Sequence, residues 1–381
     1  MKKKLFSVLA VSLAVLCVFF VSTGQRMESI RNTISDAATG LIVGQQVEVD
    51  SISTDKYAYR QLSDSGQTIY DQLLNAILNM DDSVVIGDIS EDDLSTVFYS
   101  ILADYGGLFW VTGYQFHNYS NESLLNGGIV YPTYSMSKSE RDEYQAQVDA
   151  VVEQWMADLP ADASDYDKSL YVYRLLAENV TYDQSNDNNQ NILSVFLDGR
   201  SVCQGYADAM SYLLNQAGVE STVVRGTANG ESHAWNLLCL DGSYYFTDPT
   251  WGSSLSLTGD SSGVAGIHYA YLNVTGEELL RTHTPEGLFP LPDLTATADN
   301  YYVKSGLYFS SGSTGALADA IREAYDAGSG SISVKFSDEQ VCASMIDYLF
   351  EDNAISKILP GVHTLHYSRC EDMNVLMICF S

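Results

Sequence analysis

Cys203, His233 and Asp248 are the residues of this sequence best suited to act together. The thiol lies in Ser201-Val202-Cys203-Gln204-Gly205-Tyr206-Ala207, the imidazole 30 residues later in Ser232-His233-Ala234-Trp235-Asn236, and the carboxylate 15 residues after that in Thr247-Asp248-Pro249-Thr250-Trp251. A free thiol has a pKa near ~8.5 and is mostly protonated at neutral pH. An adjacent imidazole removes that proton, and a carboxylate behind the ring holds its tautomer and orientation. The chemistry is nucleophilic attack on an acyl carbon through a thioester. The backbone N–H of Cys203, directed out of a helix start, is the natural donor to the oxyanion.

These roles require particular elements. Ala207, Met210, Leu213, Leu214 and Ala217 recur at helical spacing and Gly218 stops the pattern, so the spacing predicts a helix over 203–216 with Cys203 in its first turn. There the unpaired N–H groups and the helix dipole favour a thiolate. Gly205 removes a side chain and permits close approach. Residues 233–240 and 243–250 are rich in aromatic and aliphatic side chains, and Asp241-Gly242 between them is a strong hairpin-turn signal. With those two residues at the turn centre, Leu240 faces Ser243, Trp235 faces Asp248, and His233 shares the face of Asp248 as its diagonal neighbour. Such neighbours lie roughly 7–8 Å apart at Cα, within reach of an imidazole and a carboxylate. A slip of one residue would separate them. Taken singly, Cys203 fits a small residue packed under a helix, His233 a core residue, and Asp248 a strand-end cap. Their joint occurrence on one helix-plus-hairpin frame favours catalysis.

The stretches Gly199 to Ala207, His233 to Asn236 and Asp241 to Trp251 resemble the transglutaminase-like superfamily of papain-type folds. The helix from Tyr166 to Asn179 and the following Val180-Thr181-Tyr182-Asp183 resemble what precedes the Cys in bacterial members. The resemblance covers about residues 165–281 and implies an α+β fold, a nucleophile helix packed on an antiparallel β-hairpin or sheet. It maps the family's Cys, His and Asp onto Cys203, His233 and Asp248. Gln204, Tyr206, Trp235 and Trp251 are then expected to line the substrate cleft. Two departures stand out: Gln204 follows the nucleophile where animal transglutaminases carry Trp, and no Trp lies between Trp155 and Cys203 to serve the oxyanion. Gln190 or Asn191 is the candidate second oxyanion donor beside the Cys203 N–H. The run Asp183 to Asn189 has calcium-like composition but lacks the turn Gly and closing Glu of a helix–loop–helix site. It reads as a polar loop, with no metal and no cofactor expected.

Composition bounds the setting. Lys2-Lys3-Lys4 precedes an apolar run from Leu5 to Val21, with Ser22-Thr23-Gly24 as the best cleavage context. This predicts export, with residues 1–24 either removed or kept as a membrane anchor, and a secreted or extracellular membrane-anchored protein of bacterial type. The formal net charge is −30. Residues 1–24 carry three Lys and no acid, so the remainder is more negative still. Nucleic acid is excluded as a partner on this ground, since phosphate binding needs a basic surface. Five cysteines follow Cys17, an odd number that leaves at least one thiol outside any disulfide scheme.

Three regions follow residue 24. Residues 25–159 read as mainly helical with some strand: helices over 65–79, over 90–102 behind Ser90, and over 137–159 behind Ser137-Lys-Ser-Glu140, with strands over 108–119 and 128–135. Residues 160–298 form the catalytic core, closing with a capped helix at Thr275 to Glu278 and a linker marked by Pro285, Pro290 and Pro292. Residues 299–381 read as a small α/β unit: strand 301–309, helix 314–327, strand 331–336, helix 338–353, and a hairpin of 362–368 with 375–380. His363 and His366 fall on opposite faces of that hairpin, unsuited to joint metal binding. Two functions fit: an exported cysteine enzyme acting on protein, peptide or cell-wall peptide amides by hydrolysis or transamidation, or a surface binding or scaffold protein that keeps the fold without turnover.

Overall fold

The computed structural model describes residues 56–121, 125–186, 189–253, 267–362 and 364–380. The basic and apolar segment at 2–24 and His363 lie outside the described residues. No helix among the described residues is long and apolar enough to cross a membrane.

The first part contains helices α1 (Tyr57–Arg60), α2 (Asp64–Asn79), α3 (Glu91–Asp104) and α4 (Lys138–Met156). Strands β1 (Val84–Gly87), β2 (Val111–Asn121) and β3 (Leu125–Tyr134) form an antiparallel sheet in the order β1-β3-β2. The caps are those expected from sequence. Ser90 accepts from the Asp93 N–H, and Ser137 with Glu140 closes a reciprocal capping box.

The middle part carries α5 (Asp165–Asn179), the two-residue strands β4 (Thr181–Tyr182) and β5 (Arg200–Ser201), α6 (Ile192–Phe196) and α7 (Cys203–Gln216). A four-stranded antiparallel sheet follows, with order β8-β7-β6-β9: β6 (Glu220–Ala228), β7 (Glu231–Leu240), β8 (Ser243–Thr247) and β9 (His283–Pro285). Leu240 pairs with Ser243 and Asn236 with Thr247, the register expected from the Asp241-Gly242 turn. Both turn residues have positive φ, 48° and 81°. The second strand stops earlier than expected, however. Pro249 begins a short helix α8 (Pro249–Ser253), and Asp248 caps it. Proline fits a first helical turn, where its missing N–H costs nothing.

The last part has α9 (Gly276–Leu279), α10 (Tyr301–Lys304), α11 (Thr314–Asp326), α12 (Glu339–Ile346) and α13 (Ile355–Ile358). Its sheet has order β10-β11-β13-β12, from β10 (Tyr308–Phe309), β11 (Ser331–Phe336), β12 (Leu365–Cys370) and β13 (Val375–Phe380). The strand expected over 301–309 is mostly absent. Asn300 caps a helical turn at Tyr301–Lys304, accepting from the Tyr302 N–H at 3.1 Å, and only Tyr308 and Phe309 extend. The helix expected over 338–353 ends at Ile346 and continues as a π-helical turn, Asp347–Glu351.

One apolar cluster joins the three sequence regions. It takes Tyr57 and Ala103 from the first, Trp235 and Phe246 from the second, and Tyr302 and Val375 from the third. Two buried polar groups reinforce it. Asp104, fully buried, accepts from the N–H groups of Ala58 and Tyr59 and from the hydroxyls of Tyr70 and Thr222 at 3.0–3.1 Å. It therefore ties α1, α2 and β6 to the end of α3. Burial pushes its carboxyl up to about 6, against the pull of these four donors. Lys335 on β11 is also buried and pairs with Glu278 at 2.6 Å, while the other oxygen of Glu278 caps α9 at Thr275.

The pair is asymmetric, since the Lys335 side chain is 3% exposed and that of Glu278 19%. Glu278→Gln strands a buried ammonium and is expected to cost about 3–5 kcal/mol in chemical unfolding. Lys335→Met leaves a carboxylate that water reaches and costs less, and the double replacement Lys335→Met with Glu278→Leu regains most of the loss.

Candidate active site

Cys203 is the first residue of α7 and is half-exposed. The preceding Val202 is extended and offers no side-chain cap. The first-turn N–H groups are thus left facing the thiol's surroundings, as an anionic sulfur or oxygen requires. A buried serine pair supports this start. Ser201 Oγ lies 2.7 Å from Ser194 Oγ and donates to the Asn189 carbonyl at 2.9 Å. A Cβ on Gly205 would fall 2.0 Å from Ser201 Oγ, so the glycine is needed for this packing. Its expected role in admitting a neighbour is correct in kind, but the neighbour is the serine pair.

His233 projects from β7 and is 8% exposed. Its Nε2 lies 2.8 Å from Asp248 Oδ2. A carboxylate only accepts, so Nε2 carries the hydrogen and Nδ1 is the ring atom left for other work. Burial disfavours charge on this ring. The Asp248 carboxylate, through charge and hydrogen bond, and the interacting Cys203 thiol outweigh that and raise it to about 10.

Asp248 is fully buried and accepts four hydrogen bonds. Oδ1 takes the N–H groups of Thr250 at 2.9 Å and Trp251 at 3.2 Å. Oδ2 takes His233 Nε2 at 2.8 Å and His283 Nε2 at 3.2 Å. Burial alone would raise this carboxyl. The charge and hydrogen bond of His233, together with His283, hold it well below the usual carboxylate range.

His283 is absent from the sequence-level site. It sits on β9, paired with Ala228 of β6 and 35 residues from Asp248 in the chain. The only local signal was a His in Thr282-His283-Thr284-Pro285, which reads as loop. The donor atoms of His233, Asp248 and His283 lie within 4.8 Å of one another, a three-residue grouping that could in principle take a metal ion. The 2.8 and 3.2 Å separations are hydrogen-bond lengths, and all four acceptor positions of the carboxylate are filled. A metal would have to displace both imidazole N–H groups, so the arrangement is that of a proton network.

The remaining cleft candidates divide. Tyr206 is fully buried and donates to the Val180 carbonyl at 2.6 Å. Trp235 is also fully buried, stacked under His233 at 6.2 Å between centroids. Neither lines a cleft, because each supplies core beneath the site. Trp251 is 6% exposed and packs 5.8 Å from the His233 ring and 4.7 Å from His283, forming a wall. Gln190 is exposed and its amide donates to Asn189 Oδ1 at 3.0 Å. Asn191 caps α6, accepting from the Leu193 N–H. The turn holding both lies against the segment that leads into Cys203, since the Asn189 carbonyl accepts from Val202 N–H at 3.3 Å. In the calcium-like run, Asp183 is committed to Ser185 and to Arg200.

Residues 151–249 match the transglutaminase-like superfamily. These residues form a transglutaminase-like domain. The match takes in Cys203, His233 and Asp248 and stops short of His283. Human and mouse kyphoscoliosis peptidase are 25% identical over 192 residues and 24% identical over 194 residues, about 44–45% of this chain. The aligned part is 29% of each relative, so the chain spans less than a third of their length. A solved TGase structure aligns at 14% identity with a TM-score of 0.28, covering 48% of this chain and 51% of that one. The periplasmic domain of TgpA from Pseudomonas aeruginosa aligns at 14% identity with a TM-score of 0.21, covering 44% and 71%.

Beside Cys203 lies a second polar group. Gln204 donates to Asp208 Oδ1 at 2.8 Å and accepts from Arg225 Nε at 3.0 Å. Gly106 presses on the Asp208 backbone, where a Cβ would meet its carbonyl at 2.3 Å. Burial pushes the Asp208 carboxyl up to about 7, opposed by the Arg225 charge and the Gln204 hydrogen bond. The folded protein therefore holds this proton above the pH at which the unfolded chain releases it, near ~4. Stability falls as pH rises from there through 7, and Asp104 adds a contribution of the same sign. Asp208→Asn keeps the acceptor without the proton equilibrium, so its melting temperature is expected to decline less than that of the parent between pH 5 and pH 8.

Proposed function

We propose that the protein is a cysteine acyl-transfer enzyme in which Cys203 attacks a peptide or amide carbonyl, His233 carries the proton and Asp248 orients His233. The 2.8 Å contact between His233 Nε2 and a fully buried, ionised Asp248 carries this reading, because it aims the other ring nitrogen away from the acid. In the forward step, the thiolate sulfur bonds to the carbonyl carbon and the oxygen becomes an oxyanion facing the N–H groups of the first α7 turn. Collapse expels the amine, which takes its proton from the His233 imidazolium, and leaves an acyl-thioester. Water then gives the acid, whereas a primary amine gives a new amide. Both outcomes share the first half-reaction, so the substrate class is a protein or peptide amide, cell-wall peptides included. Export by the segment at 2–24 belongs to the same proposal and rests on its basic start and apolar run.

Interaction with Asp248 and Cys203 keeps His233 protonated toward pH 10. A raised histidine adds stability that is complete below its unfolded value of ~6.5 and is lost as pH climbs through about 10. The direct test is the rate of iodoacetamide labelling at Cys203 across pH 5–9, read by peptide mapping. Rapid labelling well below pH ~8.5 that slows in His233→Ala is expected. Labelling that follows an ordinary thiol and ignores His233→Ala refutes the reading. With a glutamine peptide and a fluorescent amine, Cys203→Ala should lose cleavage or amine incorporation by about 10³-fold or more while remaining folded. Asp248→Asn should lose about a hundredfold or more while still labelling.

A further inference from the structure

We infer that His283 is a positioning residue of this site: its Nε2–H clamps the outer edge of Asp248 Oδ2 and so keeps the carboxylate aimed at His233. The inference rests on the reading of Cys203 and His233 as nucleophile and base.

The two oxygens of Asp248 are held differently. Oδ1 is fixed by two backbone N–H groups of its own helix start. Oδ2 faces only side chains, His233 at 2.8 Å and His283 at 3.2 Å. Without His283, the sole partner of Oδ2 among the described residues would be the ring it is meant to orient. That ring changes position and charge during proton transfer, so it is a poor reference point. His283 is a better one. It is 1% exposed, and its Nδ1 lies 2.8 Å from the Thr282 hydroxyl. The carboxylate can only accept, so Nε2 carries a hydrogen, and the Thr282 hydroxyl, which also reaches the Leu279 carbonyl at 3.3 Å, holds the ring at Nδ1. The ring is wedged between Trp251 at 4.7 Å and Trp235 at 4.9 Å. Gly226 of β6 pairs with both His233 and Pro285, and a Cβ there would meet the Thr284 carbonyl at 2.1 Å. The glycine thus lets β9 come close enough to present His283.

The titratable groups packed around this ring are few. His233 and Asp248 face it directly, with Cys203 beyond His233, and Tyr271 lies 6.5 Å away. Tyr173 and Tyr271 also feel the Asp248 charge. Burial first, and then nearby charge, lifts both phenols well above their ordinary value, so they stay neutral through the working range.

The test is Cys203 labelling across pH 5–9 in the full chain, comparing the parent with His283→Phe, His283→Gln and His233→Ala. Phenylalanine keeps a ring among the tryptophans but donates nothing. Glutamine returns an N–H near the place of Nε2. The expected result is labelling at pH 6 about tenfold slower in His283→Phe, its acid limb displaced upward by about one pH unit, as for the loss of one charge-assisted hydrogen bond. His283→Gln should recover to within about threefold of the parent. A His283→Phe profile equal to the parent overturns the inference and leaves the Cys–His reading intact. Equal slowing in both His283 variants assigns the ring a packing role and also overturns it. A parent that labels like an ordinary thiol, unmoved by His233→Ala, removes both. Should His283→Phe fail to fold by circular dichroism, Thr282→Val removes the hydroxyl that holds Nδ1 while keeping His283. A smaller slowing in the same direction supports the inference, and an unchanged rate overturns it.

Discussion

A buried carboxylate with every acceptor position occupied governs this structure. Asp248 has no exposure, and an ion there would be prohibitively costly without partners. It obtains them from two sources that the fold must bring together. The start of α8 supplies two backbone N–H groups, and strands β7 and β9 supply two imidazoles. Each source constrains a different part of the chain. The helix start requires β8 to end at Thr247 and the chain to turn at Pro249. The imidazoles require β6 to lie between β7 and β9, because it hydrogen-bonds to both. The sheet order β8-β7-β6-β9 is therefore the arrangement that satisfies this one group.

Cys203 depends on a second, smaller set of constraints. Cys203 takes its place from α7, and α7 is fixed at both ends. At the start, the Ser194–Ser201 pair and the Asn189 carbonyl hold Ser201 and Val202. At the far end, Asn215 accepts from Lys56 and donates to the carbonyls of Asp104 and Ser221. Between them, Asn236 of β7 donates to the Ala207 carbonyl at 2.9 Å, linking the helix directly to the strand that carries His233. Thiol and imidazole thus share a frame whose crosslinks are hydrogen bonds to backbone carbonyls, which tolerate little sliding.

Much of this could be read from the sequence wherever a local rule operated. The Asp241-Gly242 turn set the hairpin register to the residue, and with it the proximity of His233 and Asp248. The α7 limits followed from apolar spacing and Gly218. Most of the failures share one cause, which is long-range packing overriding local appearance. Strand β6 shows no alternation because Thr222, Val223 and Val224 are all buried, so a central strand offers no polar face to read. Tyr206 and Trp235 have the size and polarity of cleft residues, but their neighbours came from distant segments that enclosed them. The aromatic run at 301–309 suggested a strand, and a side-chain cap from Asn300 won over that propensity. His283 had no local signature at all, since only the pairing of β9 with β6 brings it to the site.

The cluster shared by all three regions bears on where the domain could be cut. The stretch that matches the superfamily, 151–249, leaves out Asp104, which sits beneath β6, and β9 with His283. Cut at those limits, the sheet would lose an edge strand and expose the apolar side of Trp235 and Phe246 to water. A recombination event that moved only the matched segment would deliver an incomplete core. The packed unit is accordingly larger than the matched stretch, and the flanking sequence is held to it by what it buries.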